Sequence, residues 1–295
     1  MTFASAHPPG SAPSIADVLT TASALLQQAG IENHATDARR LVCAALGIAN
    51  IDLILRPESI AQTKGLARLD EFMERRVNRE PVTRIIGARG FWSFELAVHA
   101  NVLDPRPDTE VLIEACLESL GARRNEPLAI LDVGAGSGAI IAALLIECPQ
   151  AQGWAIDASP EAVAATSSNL AALGLEDRVT VAQQSWADPI STRFDLVVSN
   201  PPYIESAAIA SLDPEVREYD PMLALDGGPD GLDAYRAIAR QSATWLKKDG
   251  LLALEIGSSQ AASVKALFEV TGARMIQLRT DYAGRDRAMI WTGIV

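Results

Sequence analysis

Cysteine, histidine, aromatic residues and positive charge are all scarce in this chain of 295 residues. Its three cysteines, Cys43, Cys116 and Cys148, are widely separated, with no Cys-x-x-Cys and no histidine at ligand spacing. That pattern excludes a disulfide framework and a thiolate metal site, and it reads as buried free thiols in a reducing compartment. The three histidines, His7, His34 and His99, stand in no catalytic context, so no bound metal is expected. No apolar run approaches the roughly 20 residues of a membrane span. The opening MTFASAHPPGSAPS lacks both the charged and the apolar region of an export signal. A flexible tail over residues 1–13 and a cytoplasmic, monomeric protein without membrane contact are therefore expected. Lys and Arg number 25 against 37 Asp and Glu, for a net charge of -12. Residues 1–90 carry 10 and 9 of them, whereas residues 91–295 carry 15 and 28. So acidic a second part repels phosphate backbones, and with aromatics at 5% there is no basic, aromatic-rich segment for reading nucleic acid.

What is present divides into a helical beginning and an alternating remainder. Ser14 with Asp17 forms a capping-box pattern, and Ile15, Val18, Leu19, Ala22, Leu25 and Leu26 follow at helical spacing before Gly30. Further helices are expected over 35–46, stopped by Gly47, and over 59–78, before Pro81. Arg75, Arg76, Arg79, Arg84 and Arg89 crowd the end of this bundle. Interleaving with Glu71, Glu74 and Glu80 favours a solvated helix face, with a docking patch for an acidic protein as the alternative. Residues 91–98 suit a hairpin bridging two domains. Asp108 or Thr109 then precedes a helix over 111–120, either as its cap or as part of a site. From residue 128 strands (128–133, 153–157, 179–183, 194–199, 251–256, 275–279, 287–292) alternate with helices (137–148, 160–173, 235–246, 260–270). Such alternation predicts an α/β domain built on a mostly parallel, doubly wound sheet.

Two turns carry the chemistry. Strand 128–133 runs into Gly134-Ala135-Gly136-Ser137-Gly138, where glycine permits a sharp turn and close approach to a ligand. Gly134, Gly136 and Ala139 also satisfy the loose dinucleotide pattern G-x-G-x-x-G/A. Asp157, at the end of the next strand, fits an acceptor for a ribose diol under either reading. The apolar strand Phe194-Asp195-Leu196-Val197-Val198-Ser199 then ends in Asn200-Pro201-Pro202-Tyr203. Two prolines lock the backbone and leave carbonyls free, so an amide side chain beside them makes a set of acceptors suited to an –NH2 group. A dehydrogenase has no use for that turn. An enzyme methylating an amide or exocyclic nitrogen does.

These segments make the chain recognisable: it closely resembles the HemK-type protein-(glutamine-N5) methyltransferases, over nearly its whole length after the tail. The likeness includes Arg106-Pro107-Asp108-Thr109-Glu110, the glycine loop, Asp157 with Ser159-Pro160-Glu161-Ala162, and Ser199 to Tyr203. It continues through Glu215-Val216-Arg217, Leu223-Ala224-Leu225-Asp226-Gly227-Gly228, Asp230-Gly231-Leu232, Glu255-Ile256-Gly257 and Ala283-Gly284-Arg285-Asp286-Arg287. The resemblance implies a Rossmann-like S-adenosyl-L-methionine methyltransferase domain over 108–295. It also implies a helical substrate-binding domain over 14–85 and a hairpin linker over 86–107. The implied activity is methylation of the Gln in the Gly-Gly-Gln motif of peptide chain release factors, leaving S-adenosyl-L-homocysteine. On this basis Gly134, Ala135, Gly136, Ser137, Gly138 and Asp157 hold the cofactor, Trp186 lies beside its adenine, and Asn200 is next to the transferring methyl. Asn200, Pro201, Pro202 and Tyr203 hold the glutamine, with Asn200 Oδ1 and the Pro201 carbonyl accepting its two N–H bonds and Tyr203 packing on its side chain. Ser185 stands where some relatives carry Asp, with Asp188 as a substitute, and Asp104 stands where the family has an apolar residue. DNA adenine methyltransferases share only the Asn-Pro-Pro-Tyr turn. An adenine-N6 methyltransferase and a catalytically inactive S-adenosylmethionine-binding regulator are the alternatives to be discriminated.

Overall fold

The structure, a computed structural model, describes residues 13–186, 188 and 190–294. The tail expected over 1–13 lies, except for Pro13, outside the described residues. The chain divides after Gly87 into two compact units.

The first unit is helical: Ile15–Gln28, His34–Leu46, Asp52–Leu55, Thr63–Val77 and Val82–Ile86. Ser14 Oγ accepts from Asp17 N–H, and the Asp17 carboxylate accepts from Ser14 N–H, both at 3.2 Å. These bonds satisfy two of the donors a helix start leaves unpaired. Val18, Leu26, Leu41, Leu69 and Phe72 meet in a core of their own. The helix expected over 59–78 begins only at Thr63. Upstream of it the backbone is committed elsewhere, because Ser59 O accepts from Ile15 N–H and Ala61 N–H donates to Pro13 O.

The arginine-dense stretch follows the sequence reading only in part. Arg76 is buried and donates to Asp37 at 2.8 Å. Arg75 grips Glu80 and the carbonyls of Arg84 and Ile85, and Arg79 donates to the carbonyls of Ala29 and Gly30 beyond the first helix. These side chains tie helices together, while Arg75 stays exposed beside the exposed Glu71 and Glu74, as on a solvated face.

The second unit opens with a hairpin, β1 (Ala88–Phe91) and β2 (Phe94–Ala97). Phe91 and Leu96 enter the core of this unit, and Asn169 fixes Ala97 through both its N–H and its C=O. The main sheet comprises β3 (Ala129–Val133), β4 (Gln152–Asp157), β5 (Val179–Gln183), β6 (Phe194–Ser199), β7 (Leu246–Glu255), β8 (Arg274–Thr280) and β9 (Asp286–Thr292). Its order is β5-β4-β3-β6-β7-β9-β8, parallel except for β9, which runs antiparallel to both its neighbours. Every residue of β6 is buried, as a central parallel strand covered on both faces requires, whereas edge strand β8 alternates exposed and half-buried positions. One face is covered by helices Glu110–Leu120 and Ala139–Glu147, the other by Asp233–Trp245 and Ala261–Glu269. No helix among the described residues is long and apolar enough to cross a membrane. Cys116 and Cys148 are buried and Cys43 half-buried, all three as free thiols.

Candidate active site

The strand order reverses between β3 and β6, with β4 and β5 lying to one side and β7, β9 and β8 to the other. Asp132 of β3 lies level with Val198 of β6, so the turns after Val133 and Ser199 leave the sheet side by side. In an open α/β sheet this is where ligands bind. Ser199 Oγ donates to Val133 O at 2.5 Å and fixes the two strand ends together.

A cavity of about 760 Å³ opens there. Gly134, Ala135, Gly136, Ser137, Asp157, Trp186, Asn200 and Pro202 all line it. Gly134 and Gly136 take φ of 76° and 58°, and a Cβ at either would meet no protein atom within 4 Å. The room beside the loop is therefore not filled by packing and belongs to the cavity. The Asp157 carboxylate accepts from Gly136 N–H and from Ser159 N–H, each at 2.9 Å. Two of its roughly four lone-pair directions stay available on the cavity side. This donor set fits a nucleoside-bearing ligand: glycine backbone on one side, a carboxylate for a diol, and the Trp186 indole.

Gly138, Pro201 and Tyr203 do not line the cavity. Gly138 sits at φ 80° with its Cα turned toward Thr166. Pro201 is buried, and among the described residues no donor is bonded to its carbonyl. The Tyr203 carbonyl is taken by Gln260 Nε2 at 3.0 Å. Its ring packs against the core beneath the turn, and burial, reinforced by Glu255, pushes its phenol up to about 12. Gly231, at φ 70°, lies against the same turn, where a Cβ would come within 2.5 Å of Tyr203 O. Asp188 accepts from Ser185 N–H at 2.7 Å, which braces the loop next to Trp186. Asp104 is buried and paired with Arg89 at 3.9 Å, which accounts for a charge where an apolar residue was expected.

The roles of three side chains at this site escaped the sequence reading or were left open by it. Thr109 makes no capping bond to the helix it precedes. Its hydroxyl instead accepts from Asn200 Nδ2 at 3.2 Å, so it touches a cavity-lining residue and does not cap the helix. Behind both lies Glu255, the last residue of β7 and 1% exposed, with its carboxylate facing Thr109 and Asn200. Burial pushes its carboxyl up to about 7 against the opposing pull of Thr109, Arg287 and Asn200. Arg106 lines the cavity and pairs with the buried carboxylate of Asp220, so it links this wall to the segment that ends in the exposed Met222 and Leu223. An acid inside the apolar run 251–256 was the available signal for Glu255. Nothing local marks Asp220 as its partner in the case of Arg106.

A glycine loop after the first strand of the main sheet, an Asn-Pro-Pro-Tyr turn after the fourth, and an antiparallel last strand pair define a Rossmann-like methyltransferase. Residues 17–87 match the PrmC N-terminal domain family and residues 107–212 the Methyltransferase small domain family. The chain belongs to the release factor glutamine methyltransferase family. It is 46% identical over 268 residues to the release factor glutamine methyltransferase of Rhodospirillum rubrum, covering 90% of this chain and 81% of the relative. It is 43% identical over 272 residues to that of Caulobacter vibrioides, covering 92% and 93%. Among solved structures, the hMettl16 catalytic domain in complex with MAT2A 3'UTR hairpin 6 aligns with a TM-score of 0.53 at 14% identity, over 77% of this chain and 81% of that one. That likeness is one of fold alone.

Proposed function

We propose that this enzyme transfers the methyl group of S-adenosyl-L-methionine to the side-chain amide nitrogen of the Gln in the Gly-Gly-Gln motif of peptide chain release factors. The observation that carries the reading is Asn200. Its amide –NH2 donates to Thr109 Oγ1 at 3.2 Å and faces the Glu255 carboxylate, so its Oδ1 is the atom left to accept a hydrogen bond. A ligand group that donates two N–H bonds is the complement of Oδ1 and the neighbouring Pro201 carbonyl.

S-adenosyl-L-methionine, when bound, supplies a methyl group on a positively charged sulfur. Gly134, Ala135, Gly136, Ser137, Asp157 and Trp186 are the residues that would hold it. A glutamine amide nitrogen is a poor nucleophile because its lone pair is delocalised into the carbonyl. Asn200 Oδ1 and Pro201 O fix that nitrogen with one face toward the cavity, and both oxygens favour the positive charge that grows on it. Once the new N–C bond forms, the protonated amide is strongly acidic and one N–H proton passes to water, so no strong base is needed. Tyr203, held neutral, stiffens the turn from beneath. The helical first unit is the part proposed to engage the release factor, within a cytoplasmic enzyme that acts as a monomer on protein, not nucleic acid.

The test is incubation with S-adenosyl-L-methionine and an unmodified release factor, followed by the mass of the Gly-Gly-Gln peptide. One added methyl on that Gln, absent with Asn200→Ala, is the expected result. An unchanged mass beside demonstrated cofactor binding, or undiminished turnover by Asn200→Ala, refutes the reading.

A further inference from the structure

Building on that reading, we infer that Glu255 and Thr109 are positioning residues that set which end of the Asn200 amide faces the substrate. An asparagine amide presents either an acceptor or two donors, and the two orientations have nearly the same shape. With –NH2 turned to the cavity it would meet the –NH2 of the glutamine donor to donor, and the grip on the nucleophile would be lost. The surroundings remove that choice. Asn200 Nδ2 donates to Thr109 Oγ1 at 3.2 Å, and the buried Glu255 carboxylate faces both groups. An ionised carboxylate only accepts, so it draws the Thr109 hydroxyl proton toward itself and leaves the hydroxyl lone pair to Asn200. Direction therefore runs one way, from Asn200 to Thr109 and Glu255, and Oδ1 is left for the substrate.

The arrangement is anchored by rigid elements. Glu255 closes β7, Asn200 follows β6, and Thr109 enters the helix Glu110–Leu120, all three at one end of the sheet. Other charged or titratable groups facing the carboxylate are Arg287 of β9, Asp108 beside Thr109, and the phenols of Tyr203 and Tyr235. Tyr235 donates to the Glu255 backbone oxygen at 2.9 Å. Arg287 is itself shared with Asp281 at 3.2 Å and Asp108 at 3.6 Å. Among the described residues, Glu255 Oε2 has no hydrogen-bond partner. A proton on this carboxylate would convert an obligate acceptor into a donor able to hold Asn200 the wrong way round. Since burial places that protonation near neutrality, the network is poised to lose its direction as pH falls.

Two measurements test this. In protein labelled with 15N-asparagine (seven residues in this chain), the Asn200 side-chain signals, assigned by their loss in Asn200→Ala, should titrate with a midpoint near 7. They should be flat in Glu255→Gln. Signals that do not titrate, or that titrate identically in Glu255→Gln, overturn the inference whatever the substrate. In turnover, Thr109→Val and Glu255→Gln should lower kcat about 10- to 100-fold, the range of a hydrogen bond to a charged group. The KM for S-adenosyl-L-methionine should stay within about twofold, and Thr109→Ser should recover most of the rate. Thr109→Val turning over like the wild type overturns the inference even if Glu255→Gln fails to fold. Failure of the wild type to methylate the release factor would instead overturn the proposed function and leave the spectroscopic test standing.

Discussion

Asp132 allows a thermodynamic prediction worked entirely from the structure. It sits on β3 immediately before the glycine loop, fully buried, with Oδ2 accepting from Ile141 N–H at 3.2 Å and Oδ1 without a partner. Burial pushes its carboxyl from 3.8 up to about 7, the Ile141 bond opposing and nearby Asp157 adding to the rise. In the unfolded chain the group titrates near its ordinary value. Between these limits the native state holds a proton that the unfolded state has lost, so stability falls as pH rises through the window and levels off above about pH 7. At ~1.36 kcal/mol per unit, the full penalty is about 4 kcal/mol, of which about 2 kcal/mol develops between pH 5.5 and 8. Asp132→Asn cannot ionise. Its stability relative to wild type should therefore improve by about 2 kcal/mol over the same interval. The fixed cost of placing an amide nitrogen at the unpartnered position is the same at both pH values and cancels. So does the contribution of Glu255, which slopes in the same sense in both proteins. Urea unfolding of the cofactor-free protein, followed by tryptophan fluorescence at the two pH values, measures the difference. A gap between variant and wild type that is constant within about 0.5 kcal/mol would refute the burial argument, and one moving in the wild type's favour would reverse it.

Two other substitutions probe the glycine loop and the Arg106 wall of the cavity. Gly138→Ala forces an L residue to φ 80° and brings its Cβ within 3.1 Å of Thr166 Cγ2. A loss of about 2 kcal/mol is expected in urea unfolding, with a weakened cofactor site as the loop shifts, and unchanged stability would mean that the turn relaxes freely. Arg106→Ala removes the guanidinium that faces the Asp220 carboxylate, whose side chain is 1% exposed against 40% for the arginine. Solvent on the arginine side limits the cost to about 1–2 kcal/mol, and Asp220→Asn in the same chain should recover part of it; an additive pair would show that the two do not interact.

What could be read in advance, and what could not, follows the range of the interactions involved. β6 declared itself because a parallel strand covered on both faces is apolar at nearly every position, and Phe194–Ser199 has the bounds that the sequence pattern predicts. Ser14 and Asp17 are three residues apart, so their capping box is a local signal. The helix expected from residue 59 starts late for the opposite reason: what draws Ser59 and Ala61 out of it is backbone more than forty residues away. The arginine cluster was legible only in part, because composition shows the glutamates between the arginines but not the carbonyls and the buried Asp37 that they reach. The candidate site divides in the same way. Asn200 and Gly134 announce themselves through turns whose backbone chemistry is local. Thr109 and Glu255 meet Asn200 from 91 and 55 positions away, and no spacing encodes that. A buried acid still leaves a trace in the sequence, since a carboxylate within an apolar strand is costly unless something nearby makes use of it. Three positions of this sheet carry that trace: Asp132, Asp195 and Glu255. Asp195 is held by Lys247 and Arg123 and is structural. The other two are pushed up by burial: Asp132 stands just before Val133 and the glycine loop that line the cavity, and Glu255 faces Asn200, which lines it too. Acids interrupting the apolar strands are therefore the positions from which the rest of such a site could be sought in a sequence.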